Sequence, residues 1–365
     1  MKMPQFKPLI PEVLAIELAD YINGGGYLTE HTHTKKFAAN LSRETGADYC
    51  SITTSGTLAL VCALRALGIG HGDEVIVPNY TMAATAFAAV EVGASVKFVD
   101  IEPNSLCANL SQIKEAISPA TKAVILMIAN GRYPEFDVSE LHLYLQQKKI
   151  FLVEDAAQGL GSYYPSGAHV GTVSDAGILS FSMPKIITTG QGGAVLTNDP
   201  AIHSKIESYK NFGRSGSGND IHSSIGSNVK FTDLQAIAGL CQLDELAERV
   251  AEKKKIYSYL AETIDNPNLK LIENDTSHTA PWFYEITCCA VAELRLHLDR
   301  AEIGWRPMYP PLNKQQCFQN HKQAECNFPI SNFIGSNGTW IPSYIPMDSQ
   351  EMAHLASTLN TFRPA

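Results

Sequence analysis

The chain has 365 residues, of which 45% are hydrophobic and 18% charged, enough for a large core and a second, smaller unit of an ordinary globular protein. A net charge of −9 argues against a nucleic-acid binder, whose surface needs a basic stripe. No stretch approaches the ~20 apolar residues that span a bilayer. The first residues lack a signal peptide's apolar core, and the eight cysteines follow neither metal-pair nor disulfide spacing, so a reducing cytoplasm is the expected compartment.

In chain order, His31-Thr-His33 comes first; it has no third metal ligand at useful spacing and reads as a polar loop. At Thr53-Thr-Ser-Gly-Thr-Leu-Ala-Leu60, hydroxyls and a glycine open a run of helix formers over 58–67. Free amides at that N-terminus, with the helix dipole, would seat a phosphate, although such tripeptides more often merely cap a helix. Apolar runs at 74–77, 96–99, 123–128, 150–153, 177–181 and 194–196 predict strands, alternating with helical stretches such as 82–92 and 138–147. That alternation predicts a doubly wound α/β domain.

Phe151-Leu-Val-Glu-Asp155 is an apolar strand running into a carboxylate, placed where open α/β sheets hold ligand-binding groups. A helix N-cap is the plainer role for Asp155, and the two are compatible. Lys185 lies between the runs 178–181 and 194–196, with no acidic neighbour in sequence. Between two buried strands an ammonium is costly and its pKa falls, which suits an amine that attacks a carbonyl; a solvated loop lysine is the ordinary alternative. A lysine and a carboxylate one strand apart are what a pyridoxal phosphate (PLP) site needs: one bonds the aldehyde, the other keeps the pyridine nitrogen protonated.

Further on, Phe212-Gly-Arg-Ser-Gly-Ser-Gly-Asn-Asp220 has the composition of a flexible surface loop. It could equally cover an active site, with Arg214 reaching a phosphate or an amino-donor carboxylate. Thr232-Asp-Leu-Gln235 resembles a capping box. It opens a long amphipathic run through Leu240, Leu243, Leu246 and Val250 toward Tyr257, expected to link a large domain, 1–245, to a small one, 246–365. A strand at 284–290, a charged helix at 293–302 and an apolar run at 339–341 suggest that the small domain is α+β. Adjacent Cys288 and Cys289, inside the apparent strand, read as small buried hydrophobes.

Together these segments resemble the sugar aminotransferases of the DegT/DnrJ/EryC1/StrS family, within the fold-type I PLP enzymes. The likeness spans nearly the whole chain. It runs through Ser55-Gly-Thr-Leu-Ala-Leu60, Gly72-Asp-Glu-Val-Ile-Val-Pro78, Gly93-Ala-Ser-Val-Lys-Phe-Val-Asp100 and Val153-Glu-Asp-Ala-Ala-Gln158. It continues over 180–193, Gly226-Ser-Asn-Val-Lys-Phe-Thr-Asp-Leu-Gln-Ala236 and Arg306-Pro-Met-Tyr-Pro-Pro-Leu312. The resemblance implies that Lys185 bonds the cofactor and then moves the proton, that Asp155 pairs with the pyridine nitrogen, and that Gln158 bonds the ring hydroxyl. Ser55, Gly56, Thr57 and Ser180 would line the phosphate seat. Asn228 would reach the phosphate from a neighbouring subunit, making a homodimer part of the site. Tyr80, with Arg306 and Tyr309 in the tail, would face the substrate.

The chain departs from the family pattern at three places. Met82 stands where an aromatic usually stacks on the cofactor ring; its thioether can cover a ring face, the alternative being that Tyr80 swings in. Asn130-Gly-Arg-Tyr133 and Met183-Pro-Lys185 also differ, on what is expected to be the substrate side. The expected activity is transfer of an amino group from glutamate to a nucleotide-linked keto sugar, closest to a 4-keto-6-deoxyhexose of the perosamine type. A 3-keto sugar or a cyclitol is the alternative acceptor, and a non-catalytic PLP-binding regulator the alternative role.

Overall fold

Seven strands form the larger sheet of the computed structural model, which describes residues 1–214 and 220–365. They are β1 (Tyr49–Thr53), β2 (Glu74–Pro78), β3 (Ser95–Val99), β4 (Thr121–Met127), β5 (Phe151–Asp155), β6 (Ala176–Ser180) and β7 (Gly193–Thr197). Their spatial order is β1-β7-β6-β5-β4-β2-β3. All neighbours pair in parallel except at β7, which runs antiparallel to both β6 and β1. Strands such as Glu-Val-Ile-Val-Pro in β2 are buried along their whole length, as a sheet covered on both faces requires. Helices Gly56–Ala66, Ala84–Glu91 and Pro200–Lys210 pack on one face. Helices Thr32–Thr45, Val138–Gln147 and Asp233–Leu243 pack on the other.

A second sheet joins β8 (Lys270–Leu271), β9 (Tyr284–Thr287), β10 (Arg306–Pro307) and β11 (Gly338–Ile341), antiparallel throughout in the order β10-β11-β9-β8. Its core also takes residues from helices Leu246–Thr263, Val291–Arg300 and Ser349–Thr361. Met3 joins that core and bridges Ile303, so the N-terminal segment packs on the C-terminal unit.

Several local expectations shift. The amphipathic run after Thr232 is two helices, Asp233–Leu243 and Leu246–Thr263. Thr232 does cap the first by accepting the Gln235 N–H at 3.3 Å, but the Gln235 amide reaches the Gln191 carbonyl at 2.8 Å instead of closing a box. β9 ends at Thr287, which leaves Cys288 buried and Cys289 exposed. β1 was not foreseen. The segment 212–220 lies partly outside the described residues, at 215–219. No helix among the described residues is long and apolar enough to cross a membrane.

The two units are joined by buried polar contacts. Asn130, in the left-handed region at φ 56°, donates to Glu285 of β9 at 2.9 Å and accepts the Phe283 N–H at 2.5 Å. Arg132 pairs with the same Glu285 at 2.5 Å and donates to the Glu273 carbonyl at 2.8 Å. Asn130 and Arg132 therefore fasten the loop after β4 to the second sheet, where the sequence suggested a substrate-side position.

Candidate active site

The parallel strands deliver their carboxyl ends to one edge of the large sheet. Register pairs Met127 of β4 with Asp155 of β5, Ser180 of β6 with Gly193 of β7, and Gly193 with Thr53 of β1. Side chains that follow these positions converge there because the strands end in step. A pocket of about 260 Å³ opens at this edge. Its walls include Ser55, Gly56, Thr57, Met82, Asp155, Gln158, Ser180 and Lys185, together with Thr81, Ser182 and Gln191.

One wall is the start of helix Gly56–Ala66. Ser55 caps it, its Oγ accepting the Leu58 N–H at 3.2 Å. The Gly56 and Thr57 amides lie ahead of the first intrahelical bonds and are free to meet an anion. Space there is tight: a Cβ on Gly56 would come within 3.0 Å of the Ser180 Cβ. A Cβ on Gly193 would sit 2.5 Å from the Ser55 carbonyl. Two glycines thus let β6, β7 and the helix start approach closely enough to make a seat.

Asp155 is 6% exposed. Its Oδ2 accepts the Thr85 hydroxyl at 2.7 Å, and Thr85 meets Thr81 at 2.8 Å. Burial pushes the carboxyl above its ordinary range, while Thr85, the Ala157 N–H and the nearby Lys185 pull it back. Burial lowers Lys185 to about 8, opposed by Asp155 and reinforced by Arg306. The Lys185 ammonium lies 4.1 Å from the centroid of the Trp282 ring. This is a group poised to exchange its proton near neutral pH.

The remaining expected residues lie around or away from the pocket. Gln158 lines it and is fixed by the Asn130 N–H, which donates to Oε1 at 2.6 Å. Tyr309 lies within hydrogen-bonding reach of the Gln158 side chain, its ring 4.8 Å from that of Trp340. Tyr80 does not swing in: it is 1% exposed, packs against Tyr309 at 5.8 Å, and leaves Met82 on the pocket wall. Burial beneath Tyr309 holds it in the core. Arg306 sits over Trp340 at 5.3 Å.

Arg214 pairs with Asp220 and lines a different, wider groove of about 1090 Å³ with Arg65, Lys205, Lys210 and Lys230. That groove is larger, but it holds neither Lys185 nor Asp155, so the chemistry belongs to the smaller pocket. Asn228 is exposed, bridges Asn211, and is not on the pocket wall of its own chain. His31, His33 and Thr34 give their N–H groups to Asp233, whose carboxyl falls to about 2 because these bonds outweigh its burial. The histidine pair is therefore a helix start, and no metal-type cluster occurs among the described residues.

Thr85, Gln191 and Trp282 escaped the sequence reading. Thr85 looks like any helical threonine, and only the fold brings it to Asp155. For Trp282, the run Pro281-Trp-Phe-Tyr284 before a strand was a usable signal.

A profile of the DegT/DnrJ/EryC1/StrS aminotransferase family matches residues 12–360. GDP-perosamine synthase of Escherichia coli O157:H7 is 30% identical over 334 residues, 90% of either chain. The UDP-N-acetyl-3-dehydro-alpha-D-glucosamine 3-aminotransferase of Acidithiobacillus ferrooxidans is 30% identical over 84% of this chain and 82% of its own. A solved Streptococcus pneumoniae chain described as a sugar aminotransferase, in its PLP form, superposes with a TM-score of 0.91 at 24% identity, covering 99% of this chain and 98% of that one.

Proposed function

The chain belongs to the DegT/DnrJ/EryC1/StrS aminotransferase family, and from that premise we propose that it moves an amino group from glutamate to a nucleotide-linked keto sugar, the 4-keto-6-deoxyhexose class being the first choice. The observation that carries this reading is the meeting of the Lys185 amine, the buried Asp155 carboxylate and the Gly56–Thr57 amides in one pocket. The residues fit PLP: two close-packed glycines keep the seat open for a phosphate, and the carboxylate shares the pocket at the same sheet edge with a lysine of lowered pKa.

PLP supplies an electron sink that lets the amino-bearing carbon give up its proton. The chain supplies the rest. Lys185 would hold the cofactor through Nζ and, once free of it, would use the same Nζ to carry the proton between the amino-bearing carbon and the cofactor. At a pKa of about 8 it can both accept and return that proton at working pH. Asp155 stabilises a protonated ring nitrogen, with Thr85 holding its oxygen in place. Gln158 would orient the ring edge, its Oε1 already committed to the Asn130 N–H and its side chain within reach of Tyr309. Met82 covers the ring in place of an aromatic. Tyr309 and Arg306 border the side from which the sugar enters. Asn228, turned away from its own pocket, completes the phosphate seat of a second copy in a homodimer.

The perosamine-type acceptor is supported by the match to GDP-perosamine synthase over most of both chains. A 3-keto sugar is the second reading, favoured by the 3-aminotransferase that is also 30% identical, over a somewhat shorter stretch. Incubation of cofactor-loaded protein with glutamate and a panel of GDP-, dTDP- and UDP-linked keto sugars, followed by mass spectrometry, decides between them. Conversion of a 4-keto sugar supports the first reading, and conversion of a 3-keto sugar alone replaces it. For the shared site, Asn228→Ala mixed with Lys185→Ala should regain activity in hybrid dimers. No recovery despite proven subunit exchange would remove Asn228 from the site.

A further inference from the structure

Trp282 belongs to the C-terminal unit yet makes two contacts with the segment that carries Lys185. Its indole N–H donates to the Pro184 carbonyl at 2.6 Å. Its ring face lies 4.1 Å from the Lys185 ammonium. The indole is itself immobilised: 5% exposed, stacked on Phe283 at 3.9 Å and set edge-on to Trp340 at 5.9 Å. Lys253 bonds its main-chain carbonyl at 2.6 Å. A ring so fixed, touching both the ammonium and the peptide before it, does more than fill space.

We propose that Trp282 is the positioning residue for Lys185, its N–H fixing the Pro184 carbonyl while its π face holds the amine at the pocket wall. The ring quadrupole attracts the ammonium and not the free amine, so it favours the protonated state. Burial pushes the other way and prevails, leaving Lys185 at about 8. The charged groups that face the amine are Asp155 from the end of β5 and Arg306 from β10. Tyr309 lies beyond them, near Asp155. Lys253 bonds the main-chain carbonyl of Trp282, which every substitution retains. Once the Lys185 amine has taken up a proton, the ring would give the resulting ammonium a resting place at the pocket wall.

This rests on Lys185 being the cofactor-bearing lysine, and the test keeps the two apart by using full-length protein without cofactor. Brief acetylation with acetic anhydride across the pH range around 8, with the Lys185 peptide quantified by mass spectrometry, gives the amine's midpoint. Trp282→Leu should lower that midpoint by about one unit, the size of a partly desolvated cation–π contact. Trp282→Phe, which keeps a ring, should stay within about half a unit of the parent. If the leucine variant does not fold, Trp282→Met, of similar reach but without a π face, takes its place with the same expectation. An unchanged or raised midpoint in the folded Leu or Met variant overturns the proposal. Covalent uptake of cofactor by Lys185→Ala would instead remove the reading of Lys185, with the labelling midpoints untouched.

Discussion

Lys185 and Lys253 both touch Trp282, one from the carboxyl edge of the large sheet and the other from the first long helix of the C-terminal unit. Burial lowers both, to about 8 and about 7. Their partners differ. Lys253 gives its ammonium to the carbonyls of Trp282 and Ser343, has the Tyr284 ring 5.3 Å away, and lies 6% exposed in a packed interior. Lys185 meets a ring face, lies near a carboxylate and opens onto a pocket. A lowered pKa therefore marks depth, and depth alone does not make a lysine reactive. Uncommitted donors beside a cavity distinguish the functional one.

The largest break between the two should come from removing each amine. Lys185→Ala is expected to lose amino transfer by at least about 10³-fold, the size of a missing acid–base group. Lys253→Met should stay within about tenfold, since its contacts hold the Trp282 backbone and do not touch the pocket wall. Product formation by mass spectrometry with the best acceptor reads both, and comparable losses would dissolve the distinction.

Thr85→Val sharpens the electrostatics on the Lys185 side. It deletes a 2.7 Å hydrogen bond to Asp155 while keeping the side chain's shape. A hydrogen bond to a charged group contributes about 1.5–3 kcal/mol, so cofactor affinity should fall roughly 10- to 100-fold. Burial already raises the Asp155 pKa, and Thr85 opposes that. The variant should accordingly release cofactor at a higher pH than the parent as acid is added. Thr85→Ser should restore the parent profile; a profile unmoved by either change would detach Thr85 from Asp155.

The next effect concerns the seat. Gly193→Ala would place a methyl group 2.5 Å from the Ser55 carbonyl, main chain that cannot turn aside. Overpacking of this kind costs about 1–3 kcal/mol and should move the helix start away from Ser180. Cofactor affinity should drop about tenfold or more, read by equilibrium dialysis, with the overall fold retained by circular dichroism. Undiminished affinity would show that the seat tolerates displacement.

Much of this site was legible because its parts stand at strand ends. Apolar runs located β2 to β7, and the polar residues at or shortly after their carboxyl ends, Asp155, Ser180 and Lys185, fall on the pocket by the geometry of a parallel sheet. β1 was hidden because Tyr-Cys-Ser-Ile-Thr lacks an apolar run, although it pairs with β7 along its length and is buried from Cys50 onward. Thr85 and Trp282 were illegible for a different reason. They act on residues 70 and 98 positions away, and no local pattern encodes such a meeting. The direction of Tyr80 stays open in the sequence because its ring can point either way from the loop after β2, and only the packing of Tyr309 from the C-terminal unit decides it. The helix break before Leu246 is equally silent, since the apolar spacing continues across it.

The smallest effect tests the structural lysine. Lys253 has a folded pKa of about 7 against an ordinary 10.5, so between those values the unfolded chain binds more protons than the folded one. Stability must then rise with pH across that window, by at most about 1.4 kcal/mol per pH unit from this group. Below about 7 the ammonium is charged in both states and the slope vanishes. Lys185 adds a slope of the same sign that starts only near 8. Urea unfolding of cofactor-free protein at a series of pH values should show stability climbing from near neutrality in the parent. Lys253→Met should lose the lower part of that climb and keep the part above 8, because Lys185 remains. The variant also leaves the Trp282 and Ser343 carbonyls without their donor, so it should be less stable than the parent at alkaline pH and should approach it as the pH falls. A pH slope identical in both proteins would mean that Lys253 is solvated enough to keep its proton, and the contrast between the two lysines would then rest on contacts alone.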